Sequence, residues 1–149
     1  MDNEGIESSV ERYDPSTNTW EAVAPMSIAR YTLGVASLDG KLFAVGGRTD
    51  VFVEQDDDDD DDGEDEDYNQ RVDLVERYDP TTNAWEVMAP MGMKRGVTVD
   101  IIDGKLYAFS DTDSDDYPSK AERYDLASNV WEPMATMSTR RSHIRVASL

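Results

Sequence analysis

Apolar residues along this chain come in short bursts, and turn-forming clusters separate them. Leu42–Val45 and Leu106–Phe109 are almost wholly apolar, the pattern of a strand buried on both faces. Asp-Gly inside LDGKL (38–42) and IDGKL (102–106) is a hairpin signal, because Gly accepts positive φ at little cost. Asp-Pro-Ser-Thr-Asn (14–18) is a second kind of turn, in which Pro presets φ while Asp and Asn bond local backbone. No stretch has the period of a long amphipathic helix. The pattern predicts units of four antiparallel strands: a (Leu33–Leu38), b (Leu42–Val45), c (Val75–Tyr78) and d (Trp85–Met88).

These elements repeat. VERYDPSTNTW (10–20), VERYDPTTNAW (75–85) and AERYDLASNVW (121–131) are versions of one phrase. In each copy an Arg falls ten positions after the Trp: Arg30, Arg95 and Arg141. The period is 46 from the second copy to the third but 65 from the first to the second. The excess of 19 lies in the segment holding seven consecutive aspartates, Asp56–Asp62, so the acidic run is an insertion into one repeat. One such unit cannot bury its apolar surface alone, so the units must stack.

Charge and composition narrow the reading. The 149 residues carry a formal net charge of -19, and the twelve acids of Glu54–Asp67 account for most of it, leaving about -7 elsewhere. This balance argues against nucleic acid and anionic membranes and favours a basic protein partner. The absence of cysteine excludes disulfide scaffolds, thiolate metal sites and cysteine nucleophiles. The N-terminal MDNEGIESSV lacks the basic and apolar regions of a secretory signal, and no apolar run reaches membrane-span length. The expected location is intracellular, cytoplasmic or cytoskeleton-associated.

The unit resembles the kelch repeat, one blade of a β-propeller. The resemblance rests on the Gly46-Gly47 doublet ending strand b and on a Tyr-x6-Trp pair found three times: Tyr13/Trp20, Tyr78/Trp85 and Tyr124/Trp131. These residues are expected to be scaffold, with Trp filling the space between blades and Gly allowing close backbone approach. The wording ERYDPxTNxW…APM is most similar to the C-terminal propellers of BTB-kelch proteins. The third copy departs from the pattern. Ser110-Asp111 replaces the doublet, Leu126 replaces the turn Pro, Thr136 replaces the Pro of APM, and Asp100 puts a charge inside strand a. Looser packing of that blade is expected, above all at its b–c corner.

The resulting fold class is all-β, a partial kelch propeller. A tail (1–7) precedes a part-blade of strands c and d (8–30). A full blade (31–95) carries the acidic insert at about 51–70. A second full blade (96–141) is followed by strand a of another (142–149). Eleven strands cannot close a ring that needs about four to eight blades of four. A piece of a longer protein is the favoured explanation, ahead of an open arc or a ring completed by two chains.

In kelch propellers, partners bind one face through the b–c and d–a loops. By position these are Arg48, Thr49 and Asp50, and Thr112, Asp113 and Ser114, for b–c. For d–a they are Tyr31 and Thr32, Gly96 and Val97, and Ser142 and His143. Arg48 is the leading candidate, since a guanidinium can fork a carboxylate. The acidic insert leaves a b–c loop and is expected to be a solvated segment, with steering of a basic partner as its functional reading. Asp58-x-Asp60-x-Asp62-Gly63 copies half of a calcium loop, but Asn69 stands where the bidentate acid belongs, so no metal site is expected.

Catalysis is not expected. One His and no Cys exclude the copper chemistry of some kelch propellers, and crowded acids in one flexible loop are poor preorganisation for catalysis. No cofactor is implied. By resemblance the chain is a substrate-recognition module of a cullin ubiquitin-ligase adaptor, although the BTB part that contacts the cullin lies outside these residues. An actin-binding or actin-organising kelch protein is the alternative.

Overall fold

A computed structural model describes residues 7–50, 71–93, 97–110 and 120–135. Ten strands run in chain order: β1 (Val10–Asp14), β2 (Thr19–Val23), β3 (Gly34–Leu38), β4 (Lys41–Val45), β5 (Val75–Asp79), β6 (Ala84–Val87), β7 (Val97–Ile102), β8 (Lys105–Ser110), β9 (Ala121–Asp125) and β10 (Val130–Pro133). Among the described residues there is no helix. The strands form three antiparallel sheets: β1-β2, then β3-β4-β5-β6, then β7-β8-β9-β10. The eleventh expected strand, 142–149, lies outside the described residues.

Local chemistry explains the corners. The Asp-Gly pairs hold positive φ at both central residues, 51° and 72° at Asp39-Gly40 and 50° and 71° at Asp103-Gly104. That is the mirror-image turn whose twist matches a hairpin. In the other turn, the Oδ1 of Asp14 accepts the Ser16 N–H at 2.8 Å, Asp79 accepts that of Thr81 at 2.8 Å, and Asp125 accepts that of Ala127 at 2.9 Å. The third turn therefore keeps its form with Leu126 in place of Pro, because the Asp side chain holds it.

The main core lies between the second and third sheets. Phe43, Val45, Val75, Leu106 and Tyr124 are buried there, with Phe43 and Tyr124 at 5.8 Å between ring centres. The inner strands β3 and β7 approach closely at Gly34, where a Cβ would stand 2.8 Å from Val99 Cγ1. Phe43, Ala44 and Val45 are buried in succession along β4, whereas β8 alternates, with Leu106 and Ala108 buried and Tyr107 and Phe109 half-buried.

The b–c corner of the third sheet is not loose at its base. Ser110 is fully buried, and its N–H donates to the Lys120 carbonyl at 2.9 Å. Its hydroxyl accepts the Lys120 N–H at 2.9 Å. The matching bond in the second sheet runs from the Gly46 N–H to the Leu74 carbonyl, also 2.9 Å. A small hydroxyl residue thus fits where the doublet begins. The charge of Asp100 is accommodated by its own strand, with the carboxylate accepting the Ile101 N–H at 2.8 Å.

Candidate functional site

The three Tyr-Trp pairs sit in register across their hairpins, with ring centres 5.1–5.2 Å apart. In the second and third sheets they form a latch onto the preceding unit. The indole N–H of Trp85 donates to the Ala24 carbonyl at 2.7 Å, and that of Trp131 to the Ala89 carbonyl at 3.0 Å. The same alanines donate their N–H groups to Asn83 Oδ1 at 2.9 Å and Asn129 Oδ1 at 3.0 Å. Each Asn oxygen also accepts its own sheet's Tyr hydroxyl, at 2.9 Å from Tyr78 and 2.6 Å from Tyr124. Asn83 and Asn129 adopt positive φ to end the turn, so one residue shapes the hairpin and bonds the next unit. From the sequence, Asn is expected to make only local bonds. Its recurrence five positions after Tyr was the available signal.

Arg30, ten positions after Trp20, is a structural residue, although in the sequence it marks only a spacing. Arg30 Nη1 donates to the carbonyls of Gly46 at 2.9 Å and Leu74 at 3.0 Å, and Nη2 to Glu76 Oε2 at 2.8 Å. Both side chains of this ion pair are essentially inaccessible, at 0% and 1% exposure. Burial pushes the Arg30 guanidinium below its usual pKa, opposed by the charge and hydrogen bond of Glu76. The other Glu76 oxygen, Oε1, accepts the Ser27 N–H at 3.0 Å. In the third sheet Glu122 accepts the Gly92 N–H at 3.0 Å in the same manner. Burial raises the Glu122 pKa, and the Gly92 bond opposes that shift. Arg95, which matches Arg30 by position, lies outside the described residues.

The loop-facing end of the second sheet is built beyond Gly46-Gly47. Tyr31 and Arg48 exchange both main-chain bonds, at 3.0 and 2.9 Å, and Arg48 pairs in turn with Arg71. The Val72 N–H donates to the Gly47 carbonyl at 3.0 Å. Gly47 needs its glycine, with φ of 103° and a prospective Cβ only 2.7 Å from the Tyr31 carbonyl oxygen. Arg48 and Arg71, which flank residues 49–70 in the chain, are therefore paired beside Tyr31.

The candidate contact residues divide. Tyr31 and Arg48 stand half-buried at this end, and Thr32 and Asp50 are exposed. Thr49 is fully buried and Val97 is 7% exposed at the start of β7, so neither offers a surface to a partner. Gly96, Thr112, Asp113, Ser114, Ser142 and His143, and the half calcium loop at 58–69, lie outside the described residues. Among the described residues no cluster of three His or acidic groups could hold a metal ion, and no helix is long and apolar enough to cross a membrane.

Comparison with known proteins agrees with this architecture. The kelch motif model matches residues 1–27, 29–92 and 93–138. The chain is 35% identical to Kelch-like protein 25 of Xenopus tropicalis over 110 residues, 72% of this chain and 17% of that protein. It is 35% identical to human Kelch-like protein 28 over 115 residues, 73% of this chain and 18% of that protein. A shorter match to human Kelch-like protein 5 reaches 57% identity over 42 residues, covering 28% of this chain and 6% of that protein. The chain thus spans less than a fifth of the length of these relatives. Stacked four-stranded sheets, the thrice-used Tyr-Trp pair and the match along nearly the whole chain establish that this protein belongs to the kelch-repeat family, as part of a β-propeller.

Proposed function

We propose that the chain is a protein-interaction module with no enzymatic role, the substrate-recognition part of an intracellular BTB-kelch adaptor that presents targets for ubiquitination. Family membership and similarity to Kelch-like proteins support this reading. The observation that carries it is the hydrogen-bonded Tyr31–Arg48–Arg71 base at one end of the second sheet, which flanks the acid-rich segment in the chain. A stable ladder under variable loops is the arrangement of a recognition surface. Tyr31, Thr32, Arg48 and Asp50 would contact the target, with Gly96, Thr112, Asp113, Ser142 and His143 contributing from the neighbouring loops. The twelve acids of the insert would favour and steer a basic target.

The test is capture of bound proteins by the wild-type chain and by Arg48→Glu, with quantitative identification of what is lost. A genuine target binds at least about tenfold less to the variant. Its level in cells rises when the free module is overproduced, because a module without a cullin-binding part shields it. Equal capture by both chains, at equal thermal stability, rejects the assigned face. Salt-resistant co-sedimentation with actin filaments would favour the cytoskeletal reading instead.

A further inference from the structure

Each Asp-Gly turn sets a carboxyl group beside a main-chain nitrogen and leaves both unused. Asp39-Gly40 joins β3 to β4, and Asp103-Gly104 joins β7 to β8. All four residues are exposed. A Cβ built on Gly40 or Gly104 would meet nothing within 4 Å, so open space surrounds each glycine. Among the described residues no hydrogen bond engages the Asp39 or Asp103 carboxylate, and none engages the Gly40 or Gly104 N–H.

The other described aspartates differ in both respects. Asp14, Asp79 and Asp125 are held by their turn hydrogen bonds, and Pro15, Pro80 and Leu126 follow them. A Pro nitrogen carries no hydrogen and cannot close a ring on the preceding carboxyl group. Asp50, Asp73 and Asp100 precede Val51, Leu74 and Ile101, whose branched side chains crowd the nitrogen. The Asp100 carboxylate is also bonded to the Ile101 N–H at 2.8 Å.

We infer that Asp39 and Asp103 are modification sites, at which the main chain isomerises to isoaspartate and then accepts a methyl group. The Gly nitrogen attacks the Asp Cγ. A C–N bond forms, and the carboxyl hydroxyl leaves with the amide proton as water. Water then opens the succinimide at its main-chain carbonyl, so the net change is a rearrangement that needs no oxidant or reductant. The main chain now runs through Cγ and is longer by one methylene. A two-residue turn has no slack for it, because Leu38 pairs with Lys41 and Ile102 with Lys105 directly across each turn. The freed α-carboxylate attacks the methyl group of a sulfonium donor such as S-adenosylmethionine, giving a methyl ester and a thioether.

The experiment holds the full 149-residue chain in warm neutral buffer and follows it over weeks. Peptide mapping by mass spectrometry separates isoaspartyl from aspartyl peptides. Methyl transfer from labelled S-adenosylmethionine by a purified isoaspartyl methyltransferase marks them independently. Isoaspartate should accumulate at Asp39 and Asp103 at least about tenfold faster than at Asp14, Asp79 and Asp125. Asp62-Gly63, outside the described residues, is scored as a separate peptide. Asp39→Gly and Asp103→Gly should each abolish labelling at their own turn. Gly accepts the positive φ of 51° and 50° there, so their circular dichroism should match wild type. The isomerised fraction should melt below fresh chain. Equal rates at all five aspartates overturn the inference, as does labelling of either turn that survives its Gly substitution. An isomerised fraction that melts with fresh chain overturns the claim that the turn has no slack.

Discussion

At the residue scale, Arg30 and Glu76 form an ion pair whose side chains are almost fully removed from water. A buried ion pair is costly to desolvate and gains stability only when its remaining donors and acceptors are used. Arg30 meets that condition at both terminal nitrogens, with two carbonyls besides the carboxylate, while its Nε is buried without a partner. Removing one partner strands the other charge. Glu76→Gln or Arg30→Met should therefore destabilise the fold by about 3–5 kcal/mol, read from denaturant unfolding. Arg30→Lys should not rescue, since a point charge cannot span three acceptors in a planar fork. A loss below about 1 kcal/mol for Arg30→Met would show that the clamp is dispensable. The identity of this pair was hidden in the sequence. Glu76 reads as an ordinary polar position in VERYD, and its partner lies 46 residues away.

At the element scale, the Asp-led turns couple stability to pH. Asp79 sits well below the usual carboxylate range because the Lys41 ammonium bonds it and the Thr81 hydroxyl and N–H add to this. Asp14 is lowered mainly by the Ser16 hydroxyl, and Asp125 mainly by the Ala127 N–H. In each case the folded pKa lies below the unfolded one, near 3.9, so the unfolded chain binds more protons in that window. The contribution is present above about pH 4 and is lost as pH falls through the folded values. Protonation of the exposed acids elsewhere relieves repulsion over an overlapping range and works in the opposite direction. The comparison with Asp79→Asn isolates the turn. Wild type should be more thermally stable at neutral pH, and the difference should shrink as pH drops below about 4. A difference independent of pH would remove the Lys41–Asp79 bond from the account. These turns were legible in the sequence, because every group that makes them lies within a few positions, except Lys41, which the sheet brings across.

At the scale of the whole molecule, the acidic segment is an addition to a complete ladder. Its two ends meet where Arg48 pairs with Arg71 and Val72 bonds Gly47, so the sheet does not need the intervening residues for its register. Excision of 51–70 with a short glycine-containing turn in its place should leave the fold intact. It should also raise the melting temperature at low salt, since twelve of the charges behind the net -19 are removed and a loop is shortened. The gain should fade as salt is added. Calorimetry on both chains at low and high salt checks this. A cooperative transition lost on excision would mean that the segment belongs to the fold.

The sequence by itself determined the strands, both kinds of turn, the repeat and its interruption, and from these the stacked all-β architecture. Such features depend on neighbours a few positions apart, on the two-residue alternation of a strand and on the φ that Gly and Asn accept. Expectations for the third sheet were less secure, because substitutions there were read without their surroundings: Ser110 is held by Lys120, and the Leu126 turn by Asp125. Only the tertiary structure decided how the sheets grip one another. Trp85 reaches Ala24 across 61 positions, Asn83 reaches the same residue across 59, and Arg30 finds Glu76 in the adjoining sheet. Burial of Thr49 and Val97, both candidates for partner contact, was decided in the same way. These facts depend on the packing of one sheet against the next, and spacing along the chain does not encode that distance.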